Sequence, residues 1–81
     1  MMSERVPLRV PQLGVVEEVL VLEWLQESGA AVTTGAPVVV IETEKAEMEL
    51  EAPADGLLEI VIEAKDTEVP VGSVLAYVVT S

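Results

Sequence analysis

The two halves of the sequence repeat each other. Val32-Thr33-Thr34-Gly35-Ala36-Pro37-Val38 aligns with Val69-Pro70-Val71-Gly72-Ser73-Val74-Leu75 after one length adjustment, and ahead of these Val21-Leu22-Glu23-Trp24 aligns with Leu57-Leu58-Glu59-Ile60. The repeated stretches are short, rich in Val and Leu, and bounded by glycine- and proline-bearing turns, which is the pattern of strands. A chain of repeated strands hides its apolar faces by packing one sheet on another about a pseudo-two-fold axis. The expected fold class is all-β: a flattened barrel or sandwich of two similar four-stranded sheets.

Taken in order, residues 1–5 read as a loose tail, residues 6–79 as one domain, and residues 80–81 as the start of a tail or linker. Val6-Pro7-Leu8-Arg9-Val10 is an edge strand, because proline cannot donate to a ladder, and Pro11-Gln12-Leu13-Gly14 is a turn. The run Val19 to Leu25 lies between Gly14 and Gly29 and is expected as a strand with both faces largely covered. Turn clusters at Glu27-Ser28-Gly29 and Thr33 to Pro37 flank a short strand at Ala31-Val32, and Val38 to Ile41 follows. After a turn at Ala52 to Gly56, strands are expected over Leu57–Ile62, Val69–Gly72 and Val74–Val79, with a turn around Lys65-Asp66-Thr67.

Between the halves lies Ile41-Glu42-Thr43-Glu44-Lys45-Ala46-Glu47-Met48-Glu49-Leu50-Glu51-Ala52. With Lys45-Ala46 as a two-residue turn, Thr43 faces Met48, Ile41 faces Leu50 and Val39 faces Ala52, which gives one mostly apolar face. Met48 and Leu50 then read as core packing and Trp24 as a core or rim anchor. On the other face Glu44 meets Glu47 and Glu42 meets Glu49, and like charges directly opposite destabilise a hairpin by roughly a few tenths of a kcal/mol per pair. Lys-Ala also lacks the glycine or asparagine of a tight primed turn. A hairpin with poor choices at its tip and good ones along its inner face keeps that tip for something other than stability.

Composition removes several function classes. The 81 residues carry fifteen acidic against four basic side chains, a formal charge of -11, so neither nucleic acid nor an anionic membrane is an expected partner, and a basic protein surface is. There is no Cys and no His, hence no thiol chemistry and neither the usual general base nor the commonest metal ligand. Asp55 and Asp66 with nearby glutamates are at most a weak cation site. No signal, transit or transmembrane stretch is visible, and a cytoplasmic domain, monomeric in isolation, whole or cut from a longer chain, is expected.

Glu42-Thr43-Glu44-Lys45-Ala46 resembles the Glu-Thr-Asp-Lys-Ala signature of lipoyl domains, the swinging-arm carriers of 2-oxo acid dehydrogenase complexes. Pro11-Gln12-Leu13-Gly14 resembles the Pro-x-Leu-Gly that opens many of them. Ala52-Pro53 and Gly56, eleven positions beyond the lysine, also match the family, and the resemblance covers roughly residues 6–79. Two departures are a Glu at 44 where Asp is commoner, and a segment before the second strand that is one residue shorter and lacks the usual Glu-Gly. The resemblance implies lipoic acid in amide linkage on Lys45, with Glu42, Glu44, Ala46, Glu47 and Glu49 as recognition residues. It implies a carrier rather than a catalyst, as part of a dihydrolipoamide acyltransferase. Its partners would be a lipoate ligase or lipoyl transferase, a thiamine-diphosphate-dependent decarboxylase, the acyltransferase catalytic domain and a dihydrolipoamide dehydrogenase.

Three readings compete. A biotin carrier shares the fold, but its lysine normally sits in Ala-Met-Lys-Met, whereas Glu44 and Ala46 flank Lys45. The glycine-cleavage carrier is a longer chain with extra helix. An unmodified acidic interaction module with the same fold would leave Lys45 bare where a known acceptor is modified.

Overall fold

The Val- and Leu-rich runs form strands because their β-branched residues pack well on a pleated surface and the intervening Gly, Pro, Asp and Ser residues end each run in a turn. The computed structural model, which describes residues 3–63 and 67–80, has eight of them. They are β1 (Arg5–Arg9), β2 (Glu18–Trp24), β3 (Ala31–Val32), β4 (Pro37–Glu42), β5 (Glu47–Glu51), β6 (Gly56–Ile60), β7 (Thr67–Pro70) and β8 (Val74–Val79). They pair antiparallel in two four-stranded sheets ordered β1-β8-β6-β3 and β5-β4-β2-β7. The two orders become identical when β1, β8, β6 and β3 are matched with β5, β4, β2 and β7, so the internal repeat is a repeat of topology.

Hydrogen bonds carry the same symmetry. In one copy the Gly35 N–H donates to the Ala52 carbonyl at 3.0 Å and the Ala52 N–H to the Ala36 carbonyl at 2.8 Å. In the other, the Gly72 N–H donates to the Val10 carbonyl and the Val10 N–H to the Ser73 carbonyl, both at 2.9 Å. Gly35 and Gly72 have φ of 89° and 92°, a region costly for residues with a Cβ, which is why the repeated turn carries glycine. The body measures 42 × 20 × 19 Å.

Aliphatic side chains fill the space between the sheets. Val19, Val21, Val38, Val39, Ile41, Leu58, Leu75 and Val78 are fully buried, in keeping with a sequence that has no Phe. Trp24 packs at the rim of this cluster, and its indole N–H donates to the Ile62 carbonyl at 2.9 Å, tying the end of β2 to the segment after β6. Pro7 lies in β1, an edge strand, as its missing N–H requires. Arg5, placed in the tail on sequence, is the first residue of β1; it sits 4.2 Å over the Tyr77 ring and is ion-paired with Glu59.

Several strand expectations need correction. β2 is fully covered on one face only: Val19 and Val21 are buried, while Leu20 and Leu22 are half-buried. A bulge at Leu22, where Val21 faces Ile41 but Glu23 faces Val40, reverses the alternation and turns Trp24 toward the core. β6 stops at Ile60 rather than Ile62, because the N–H groups of Val61 and Ile62 both donate to the Leu75 carbonyl and the ladder ends there. The strand expected over Val69–Gly72 runs Thr67–Pro70 instead, since the Ser73 N–H closes a turn on the Pro70 carbonyl at 3.1 Å. Of the turn expected around Lys65-Asp66-Thr67, Lys65 and Asp66 lie outside the described residues and Thr67 opens β7.

Candidate functional site

The β4–β5 hairpin protrudes with Glu44 and Lys45 at its tip. The Thr43 N–H donates to the Ala46 carbonyl at 2.8 Å, and below this pair Glu42 faces Glu47, Ile41 faces Met48, Val40 faces Glu49 and Val39 faces Leu50. The two-residue turn is therefore Glu44-Lys45, one position earlier than the Lys45-Ala46 turn expected from sequence. The shift preserves the faces but moves every partner by two. Glu42 meets Glu47 instead of Glu49, and Glu44 has left the ladder for the turn. Met48 faces Ile41 but lies where the hairpin extends beyond the body, and its relative exposure is 36%. It is not the core residue expected; Leu50, one pair lower, does pack against the core.

The Thr43 hydroxyl accounts for the chosen turn. Its Oγ1 accepts from the N–H groups of Lys45 and Ala46, both at 3.3 Å, and donates to the Ala46 carbonyl at 3.3 Å. A threonine at the first turn position that closes the loop through its own oxygen outweighs the small advantage of paired apolar residues further down. Lys45, Glu44, Ala46, Glu47 and Glu49 are exposed, and Glu42 is half-buried. The Lys45 ammonium makes no ion pair with any described residue. An exposed primary amine at the extremity of a rigid ladder suits covalent attachment of a carboxylic acid, and Ala46 leaves its approach open.

Immediately behind the tip, one row crosses the whole sheet: Glu47 on β5, Glu42 on β4, Leu20 on β2 and Glu68 on β7. Glu68 and Glu18 lie on the same face, and the negative charge of Glu68 pushes the Glu18 carboxyl above its usual range. Lost hydration, a hydrogen bond between the two carboxyl groups and the charge of Glu17 act in the same direction. The loop before β2 folds beside this row. Together they line an open groove of about 430 Å³ whose walls include Val15, Val16, Leu20, Glu42, Thr43 and Glu44, and Val15 is 93% exposed.

Sequence reasoning had not singled out Glu17, Glu18, Glu68 or Val15 for the site, because only strand pairing brings β7 and the β1–β2 loop to the hairpin. Thr43 was visible as a hydroxyl residue preceding a turn without glycine. Asp55, a weak cation candidate on sequence, is committed elsewhere. Its Oδ1 accepts from the Thr34 N–H at 2.7 Å and the Thr34 hydroxyl at 2.9 Å, which holds its carboxyl below the usual range. Asp66 is outside the described residues, and among the described residues no three acidic groups converge as metal ligands.

Comparison with known proteins bears on this geometry. The family model Biotin_lipoyl, described as "Biotin-requiring enzyme", matches residues 6–78. The chain is 37% identical over 71 residues to the dihydrolipoyllysine-residue acetyltransferase component of the pyruvate dehydrogenase complex of Mycobacterium bovis, covering 86% of this chain and 13% of that protein. It is 35% identical over 79 residues to the acetyltransferase component of the acetoin cleaving system of Pseudomonas putida, covering 96% of this chain and 21% of that protein. With the succinyltransferase component of the 2-oxoglutarate dehydrogenase complex of Rickettsia bellii it shares 37% identity over 68 residues, 83% of this chain and 17% of that protein. The chain thus spans between about an eighth and a fifth of the length of these relatives.

Proposed function

Because the chain belongs to the family of biotinyl- and lipoyl-bearing carrier domains, we propose that Lys45 is its attachment point and that the group carried is lipoic acid in amide linkage. The observation that carries this reading is the position of Lys45. It is the one lysine among the described residues, it lies at the extremity of the hairpin, and its ammonium is free of ion pairs there. Lipoate supports the assignment over biotin on two grounds. Glu44 and Ala46 stand where a biotin carrier normally has methionines, and the matched relatives are named for a dihydrolipoyllysine residue. Bound lipoamide would supply the two sulfurs that this cysteine-free chain lacks.

The chain's own contribution is physical. Domains of this family are non-catalytic carriers. Tethering replaces a diffusing cofactor with a high local concentration at each active site in turn, and the ladder from Glu42–Glu47 down to the core keeps the point of attachment from folding back on the body. The larger protein would be the acyltransferase component of a pyruvate, branched-chain, 2-oxoglutarate or acetoin complex. Its partners would be a lipoate ligase or lipoyl transferase, a thiamine-dependent decarboxylase, the acyltransferase catalytic domain and a dihydrolipoamide dehydrogenase. Glu42, Glu44, Ala46, Glu47 and Glu49 form the recognition surface, and the groove beside them adds Glu18 and Glu68; a basic partner surface complements it.

Intact-mass spectrometry after incubation with lipoate ligase, ATP and lipoic acid, beside a parallel biotin ligase reaction, tests the assignment. A lipoyl increment mapped to Lys45, and lost in a still-folded Lys45→Ala variant, is the expected result. An increment from biotin ligase alone would make the chain a carboxylase carrier. Absence of both, with a control acceptor domain modified in the same tube, would leave an unmodified interaction module.

A further inference from the structure

The pseudo-two-fold axis carries the hairpin tip onto the ends of the chain. At the tip the Thr43 N–H donates to the Ala46 carbonyl at 2.8 Å; at the chain ends the Thr80 N–H donates to the Glu4 carbonyl at 2.8 Å. The Ala46 N–H donates to Thr43 Oγ1 at 3.3 Å, and the Glu4 N–H to Thr80 Oγ1 at 3.3 Å. Each hydroxyl returns its proton to the carbonyl of the same partner, at 3.3 Å for Ala46 and 3.4 Å for Glu4. At both places one threonine clasps the residue opposite it by three bonds. Around Thr80 the clasp joins two separate strand ends with no turn between them, so the device closes a strand pair without help from turn residues.

At the tip nothing else can hold the turn. Glu44 and Lys45 bring neither glycine nor asparagine, Glu42 and Glu47 repel each other in the pair directly below, and Met48 is too exposed to anchor it by packing. The Thr43 hydroxyl alone reaches past its own pair to the Lys45 N–H, at 3.3 Å. We infer that Thr43 is a positioning residue for Lys45: its hydroxyl fixes the backbone of the acceptor lysine for the enzyme that modifies it, leaving Glu44 free of any turn-forming duty. The inference rests on the carrier reading of Lys45. The adaptation at this end is the added bond to the lysine's own N–H, for which the Thr80 clasp has no counterpart among the described residues.

The test compares Thr43→Val, which keeps the branched shape and removes the hydroxyl, with Thr43→Ser, which keeps the hydroxyl, and Thr80→Val, which opens the other clasp. Amide hydrogen exchange at Lys45 and Ala46 reads the turn without any cofactor. Exchange there should accelerate about tenfold in Thr43→Val, the loss expected for hydrogen bonds of ordinary net strength, and by less than about twofold in Thr43→Ser. In Thr80→Val the tip should exchange as in the wild type. Steady-state lipoylation by lipoate ligase should show KM for the domain raised about tenfold in Thr43→Val, with kcat little changed, if turn order sets recognition; Thr43→Ser should restore it. Wild-type exchange in Thr43→Val, or equal KM values for Val and Ser variants that differ in exchange, would overturn the inference. If ligase leaves the wild type unmodified, the carrier reading fails, and with it the role of Thr43 in modification, while exchange still reports whether the clasp holds the turn.

Discussion

Replacing Gly56 with alanine tests the close approach of β6 to β8 within their sheet most directly. A Cβ built on Gly56 falls 2.2 Å from the Val79 carbonyl oxygen, 2.8 Å from its carbon and 3.0 Å from Val78 Cγ1. An ordinary contact needs about 1 Å more room. The obstacle is backbone, in a strand that Gly56 and Leu57 adjoin, and β6 is held between β3 and β8, so it cannot move away from one ladder without straining the other. Overpacking of this kind costs about 1–3 kcal/mol, the Gly56 φ of 159°, which a residue with a Cβ rarely adopts, adds about 1 kcal/mol of strain, and alanine returns roughly 0.5 kcal/mol by restricting the unfolded chain. We expect a net loss of about 2.5 kcal/mol, a large share of the roughly 4–12 kcal/mol available to a domain of this size. Thermal unfolding followed by far-UV circular dichroism should show a Tm lower by about 10–20 °C. Gly35→Ala is the control: its Cβ would meet nothing within 4 Å, so it incurs only the backbone strain of φ 89°, about 1 kcal/mol. A Gly56→Ala Tm within about 3 °C of wild type, or above that of Gly35→Ala, would refute the steric argument.

The remaining expectations concern charge. Asp55→Asn should lower stability at neutral pH: the Asp55 carboxyl is depressed, so its contribution is present above the ordinary aspartate range and is lost as pH falls through its folded-state value. Wild type and variant melts should therefore converge in acid, and a constant gap across pH would exclude the Thr34 bonds as the cause. Glu18→Gln should act in the opposite sense. The Glu18 carboxyl is raised, so ionisation is disfavoured in the folded state; the variant should be more stable at neutral pH and lose that advantage below the ordinary glutamate range, and equal melts at pH 7 would discount Glu68 as its neighbour. Glu42→Gln with Glu47→Gln, which removes the one directly opposed acidic pair of the hairpin, should stabilise the domain by about a few tenths of a kcal/mol while, under the proposed function, slowing reductive acylation by the decarboxylase proposed as a partner. A faster or unchanged transfer rate would assign those glutamates to solvation alone.

What the sequence revealed, and what it concealed, divides along the range of the interactions. The all-β class, the two similar sheets and the edge position of Pro7 rest on local composition and on the repeat, and all are found. Lys45 at the end of a hairpin was also legible, because that hairpin is local. The register was not, since the sequence offers two ladders with the same faces and the decision falls to one hydroxyl, that of Thr43. Met48 was misjudged for the same reason: alternation tells which face a side chain is on but not where the body ends. The bulge at Leu22 and the approach of Glu68 to Glu18 depend on pairing between distant strands, and period-two counting holds no trace of either.

The symmetry also separates what the fold needs from what the tip adds. Behind the lysine the outward row reads Glu47, Glu42, Leu20 and Glu68 across one sheet. The corresponding row at the chain ends reads Arg5, Val79, Leu57 and Ala31 across the other. Both rows sit on the same ladder geometry under the same threonine clasp, yet one carries three acids and the other none. Stability therefore does not require the acids; next to one another they oppose it. The register also places the two ends far apart. β4 leaves the turn at Gly35, beside Ala52 and near the Gly56–Val79 contact, and runs away from the chain ends toward the tip. Charge is concentrated where Lys45 stands, and Glu4 and Thr80 lie at the opposite end of a body 42 Å long. Under the carrier role proposed for Lys45, this division keeps the Glu4–Thr80 end of the body clear of the acidic surface around the attachment point.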